Sequence, residues 1–129
     1  MNATQNAPQL SRPLPELELE VMKVLWSLET GTVAAVKERL DPRRPLAYTT
    51  VMTVLDRLAR KGAVTRRKEG RGYLYKPAIS SADAREVAID RLLSDYFNNS
   101  VDKLADFLRS SGQMHGRTTA GVSMDSSLL

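Results

Sequence analysis

The chain contains no cysteine, which excludes disulfides and thiolate metal sites and fits a reducing compartment. Histidine occurs once, as His115. It lies in a stretch without clear periodicity, so a histidine-based triad or a zinc site would lack a rigid scaffold. Aromatic residues are scarce at 5%, against a hydrophobic fraction of 42% over 129 residues. One modest core is expected, and a second copy would help to complete it. No apolar run reaches the roughly 18 residues that a membrane helix requires. The opening MNATQNAPQL lacks the basic start and apolar middle of a secretory signal. The expected setting is soluble and cytoplasmic, without membrane insertion.

Positive charge is present and unevenly spread. The chain carries a net +4, yet between Asp56 and Lys76 eight Lys/Arg face two acids, a local +6 that leaves −2 for the rest. The basic residues are Arg57, Arg60, Lys61, Arg66, Arg67, Lys68, Arg71 and Lys76. Focused on one helix end and one hairpin, they suit a polyphosphate backbone. An ordinary solvated surface is the plainer alternative.

The same stretch has the sharpest periodicity. Val51, Val54, Leu55 and Leu58 recur at i, i+3, i+4 and i+7, which predicts an amphipathic helix. Thr49, Thr53, Asp56 and Arg60 fall opposite that stripe, Thr50 and Arg57 on one flank and Met52 on the other. Gly62 follows a basic last turn and suits a left-handed stop. Val64 to Lys68 and Tyr73 to Lys76 read as strands joined by Gly70-Arg71-Gly72, where glycines permit positive φ. That loop lacks the third glycine and following helix of a dinucleotide-binding turn.

Upstream, Pro15 to Leu28 predicts a first helix with Leu17, Val21, Val24, Leu25 and Leu28 inward. Glu16 and Glu18 favour its dipole. Trp26 reads as core or interface before ligand platform. Thr30-Gly31-Thr32 ends this helix, and Thr32 caps a short second one over Val33 to Leu40, which Pro42 and Pro45 prevent from continuing. Downstream, Ser80 and Asp83 resemble a capping box before a helix to about Phe97. Asn98-Asn99 turns the chain, and Ser100 caps a further helix with Val101, Leu104, Ala105 and Leu108 in register. Val87, Ile89, Leu92, Leu93, Tyr96 and Phe97 exceed what a helix resting on a hairpin can bury. Leu92, Leu93, Tyr96, Phe97, Val101, Leu104, Phe107 and Leu108 are the candidates for association. A dimer interface explains them; folding back on their own domain is the alternative.

Helix, short helix, turn, amphipathic helix and hairpin is the order of a winged helix-turn-helix, whose third helix enters the major groove. The expected fold class is therefore mainly α with a small β hairpin. A flexible arm (1–13), a winged-helix DNA-binding domain (14–78), a helical dimerisation region (79–110) and a disordered tail (111–129) make up the organisation. Thr49, Thr50, Thr53 and Arg57 are the candidates for reading bases, threonine methyls suiting thymine, although threonines there could be incidental surface. Arg60, Lys61, Arg66, Arg67, Lys68 and Arg71 are the candidates for phosphate.

LPELELEVMKVLW (14–26), LAYTTVMTVLDRLARKG (46–62), RRKEGRGYLYKP (66–77) and FNNSVDKLADFL (97–108) closely resemble the penicillinase (beta-lactamase) repressor family, the BlaI/MecI/CopY group of winged-helix regulators. The resemblance spans about residues 14 to 110. It implies a homodimer on a palindromic, inverted-repeat operator in double-stranded DNA, repressing resistance genes such as beta-lactamases. It also implies derepression by cleavage through a membrane-embedded sensor metalloprotease. The family's recognition contacts fall on Thr49, Thr50, Thr53 and Arg57, and its backbone contacts on Arg66, Arg67, Lys68 and Arg71. The scissile Asn-Phe bond aligns near Asp106-Phe107, where Asp replaces Asn. Pro15 replaces a frequent Ser or Thr cap, the copper-responsive branch's C-terminal cysteines are absent, and a Ser/Thr/Gly tail stands where most members have a charged helix. No catalytic residue, metal or cofactor is expected. The alternative function is a winged helix that binds protein, which should carry an apolar or acidic patch where this chain has basic wing residues.

Overall fold

A computed structural model describes residues 10–115. Its elements run α1 (Glu16–Leu28), α2 (Val33–Leu40), α3 (Tyr48–Arg60), β1 (Val64–Glu69), β2 (Gly72–Pro77), α4 (Ser81–Tyr96) and α5 (Val101–His115). The chain forms two compact units, one reaching Ala88 and the other beginning at Ile89. The division lies inside α4 and not at residue 78, because Ile79 and Ala84 belong to the core of the first unit. Of the expected arm 1–13, residues 1–9 lie outside the described residues, as do 116–129, whereas Leu10 is partly buried against the core of the first unit.

The first unit encloses its apolar stripes. Val21, Met22 and Leu25 of α1, Val36 of α2, and Val51, Val54, Leu55 and Leu58 of α3 are all buried. The expected stripe of α1 is rotated. Glu18 and Met22 are inside, whereas Leu17, Val24 and Leu28 are only partly covered. The reason is an ion pair: Lys61, just beyond α3, donates to the Glu18 carboxylate. A carboxylate can be buried when a cation meets it.

The hairpin is antiparallel, with Arg66 opposite Tyr75 and Lys68 opposite Tyr73. Its two-residue turn is Gly70-Arg71; Gly70 takes φ +60°, whereas Gly72 is already in β2 and does not need positive φ. Gly31 and Tyr75 exchange both backbone hydrogen bonds, at 2.9 and 2.8 Å, which fastens the wing to the α1–α2 corner. Gly31 therefore does not end α1. Glu29 makes that turn at φ 74°, and Gly31 instead permits close approach, since a Cβ would meet Leu28 at 3.3 Å and Val36 at 3.4 Å. Thr32 caps α2 through the Ala35 amide at 3.1 Å. Trp26 donates its indole N–H to the Ile79 carbonyl at 3.0 Å, and so serves the packing.

The capping box of α4 forms reciprocally: the Asp83 amide donates to the Ser80 hydroxyl at 2.9 Å, and the Ser80 amide to the Asp83 carboxylate at 3.3 Å. In the second unit Asn98 and Asn99 turn the chain at φ 52° and 62°. Ser100 caps α5 through the Lys103 amide at 3.1 Å, and the Phe97 and Phe107 rings lie 5.7 Å apart. The helix α5 continues to His115, so residues 111–115 are not part of an unstructured tail. Ser110, Ser111 and Gly112 are weak helix formers but none is proline, so the ladder of amide bonds is not broken.

Candidate nucleic-acid interface

Four apolar residues on one side of α3 leave the other side free. Thr49, Thr53, Arg57 and Arg60 are exposed, with Thr50 and Asp56 half-buried along the same face. Helical geometry sets Thr49, Thr53, Asp56 and Arg60 in one row, and Asp56 joins that row to the wing. Its carboxylate accepts from Arg60 at 2.7 Å and from Arg66 of β1 at 3.1 Å. The threonine row and the first basic residue of the wing thus belong to one surface.

Strand alternation sorts the wing. Arg66 and Lys68 project from the same face of the hairpin as Tyr73 and Tyr75, and Arg67 from the opposite face beside Glu69. Both cations lie over the Tyr73 ring, Arg66 at 4.5 Å and Lys68 at 5.5 Å from its centroid, a favourable cation–π arrangement. The Tyr75 hydroxyl foremost, against an opposing desolvation and with help from the Asp56 carboxylate, holds the Arg66 guanidinium above its ordinary value. Arg66 is a fixed cation. Arg67 pairs with Glu69 at 3.4 Å. Arg71 stands exposed at the turn.

The structure brings together Thr49, Thr50, Thr53, Arg57, Arg60, Arg66 and Lys68. It does not bring Lys61 into that group, since its ammonium is held by buried Glu18, and it sets Arg67 on the far face of the hairpin. Sequence reasoning gave no role to Tyr48 and Met52, which are 49% and 43% exposed on α3. It also missed Tyr73 as the platform under two cations. Register could have found Tyr73, because it lies directly opposite Lys68.

A helix exposing short hydroxyls, flanked by a cationic hairpin, is the form of a groove-reading unit. The sequence model described as penicillinase repressor matches residues 14–118. The chain belongs to the penicillinase repressor family. It is 32% identical over 109 residues to the penicillinase repressor of Bacillus licheniformis, covering 84% of this chain and 82% of that one. It is 52% identical over 65 residues to the transcriptional regulator BlaI of Mycobacterium tuberculosis, covering 50% of this chain and 47% of that regulator. The solution structure of the DNA binding domain of the repressor BlaI superposes with a TM-score of 0.52 at 35% identity. It covers 58% of this chain and 92% of that domain. As a penicillinase repressor family member, the chain is a DNA-binding transcriptional repressor and not an enzyme. Among the described residues no helix is long and apolar enough to cross a membrane, and no cluster of His, Cys, Asp or Glu could hold a metal ion.

Proposed function

We propose that this repressor acts as a cytoplasmic homodimer on an inverted-repeat operator, each copy laying α3 in a major groove. The observation that carries the reading is the row Thr49, Thr53, Asp56 and Arg60, linked to Arg66 at 3.1 Å. Thr49, Thr50, Thr53 and Arg57 read base edges. Arg60, Arg66, Lys68 and Arg71 neutralise phosphates, and Met52 adds an apolar contact suited to thymine methyls. Lys61 is withdrawn from the phosphate set by Glu18, and Arg67 contributes only to the long-range field.

The dimer is built by the second unit. Leu92, Tyr96, Val101, Phe107 and Leu108 are exposed, Leu104 and Phe97 partly covered, and Leu93 buried. Large apolar groups so exposed on two short helices mark an association surface. Two copies related by a two-fold axis then present their recognition helices to successive major grooves.

Derepression of resistance-type genes through a membrane sensor metalloprotease is the finer part of this reading. Its bond, Asp106–Phe107, lies within α5, and Asp106 is paired with Arg109. Cleavage there requires that turn of α5 to open, since a protease takes its substrate extended.

Selection of bound sequences from random duplexes tests the whole reading, with an inverted repeat as the expected outcome. With about eight phosphate contacts per dimer, log K should fall with log salt at a slope of roughly −7. Arg71→Ala should weaken all duplexes alike and reduce that slope by about 1 per contact. Thr50→Ala should cost on the order of 1 kcal/mol at one base position only. Equal losses on selected and random duplex for Thr50→Ala would remove it from the reading set.

A further inference from the structure

Asp56 is a carboxylate at the edge of the most basic stretch of the chain, and the reading above leaves it without a role toward DNA. Its side chain is one-third exposed, at 33%. Each of its two oxygens holds a different arginine: Oδ2 accepts from Arg60 at 2.7 Å, and Oδ1 from Arg66 at 3.1 Å. Arg60 lies one turn further along α3, whereas Arg66 belongs to β1. The carboxylate therefore bridges the recognition helix and the wing. Arg66 is held from its other side by the Tyr73 ring at 4.5 Å.

A carboxylate beside a phosphate chain repels every duplex, whatever its sequence. A surface serving affinity alone would gain nothing from it. Selectivity gains in two ways. Two guanidinium groups fixed before binding lose less freedom when they meet phosphates in the correct register. A duplex that does not admit α3 into its groove meets the negative charge without compensating contacts. We propose that Asp56 is a specificity-determining positioning residue, which sets Arg60 and Arg66 for a fitting duplex and lowers affinity for the rest.

The proposal rests on the DNA-binding reading, and the test separates the two. Full-length wild type, Asp56→Asn and Asp56→Glu are titrated over a range of salt. The probes are a duplex that the wild type selects from a random pool and a scrambled duplex of equal length. Asp56→Asn should bind the scrambled duplex about threefold to tenfold tighter at low salt, with a slope steeper by about 1. It should gain nothing on the selected duplex, so the specificity ratio falls. Asp56→Glu should restore most of the ratio, and the melting temperature should hardly move, because the pairs are solvent-exposed. In an Arg60→Gln, Arg66→Gln background, Asp56→Asn should leave the ratio much less affected. An Asp56→Asn protein that shifts both duplexes by one factor overturns the proposal while leaving DNA binding intact, as does an equal fall in the ratio for Asp56→Glu. A wild type that selects no duplex overturns the DNA-binding reading itself.

Discussion

The two units use apolar residues in opposite ways. In the first, Val21, Met22, Leu25, Leu55 and Leu58 are closed off from water. In the second, Leu93 is buried while Tyr96, Val101, Phe107 and Leu108 remain 76, 65, 55 and 57% exposed. Burial of a large aliphatic side chain contributes on the order of 1.5–3 kcal/mol, so the first unit has what it needs within one copy. The end of α4 from Ile89 and the 15 residues of α5 do not. The difference fits the proposed division of labour, in which the first unit carries the groove-reading surface and the second, with its apolar groups exposed, pairs two copies.

That contrast can be broken from either side. Leu55→Ala removes a fully enclosed side chain at the heart of the first unit, and urea unfolding should show a loss of about 2–5 kcal/mol. A much smaller loss would mean that this core is not the source of its stability. Tyr96→Asp should leave the unfolding of the first unit unchanged and weaken self-association by about 2 kcal/mol or more. Sedimentation showing the variant dimeric at wild-type strength would sever the second unit from pairing. A chain ending at Ala88 should fold and remain monomeric; a dimeric fragment would move the interface into the first unit. The smallest effect is expected for Thr32→Ala, which takes one cap from α2 and should cost about 1 kcal/mol in the same urea experiment.

What the sequence made legible is what depends on local pattern. The stripe Val51, Val54, Leu55 and Leu58 located α3, and the glycines located the wing turn. Ser80-Asp83, Asn98-Asn99 and Ser100 marked the caps and turn that the structure contains. What escaped depends on partners distant in the chain. Glu18 looked like a helix-dipole acid until Lys61, 43 residues on, supplied its counter-charge. Gly31 looked like a helix stop because its pairing with Tyr75, distant in the same chain, leaves no local trace. The contact of Asp56 with Arg66 likewise needs the wing folded back on α3. Arg67 differs, since strict strand alternation already separates it from Arg66 and Lys68; composition alone had pooled the three.

The central claim is that one face of α3 and the adjoining face of the wing meet the duplex. Amide chemical-shift mapping on addition of a selected operator tests it most directly. The expected result is that the perturbations concentrate at Thr49, Thr50, Thr53, Arg57, Arg66, Lys68 and Arg71. Perturbations confined to α2 or α5, with α3 unmoved, would contradict it.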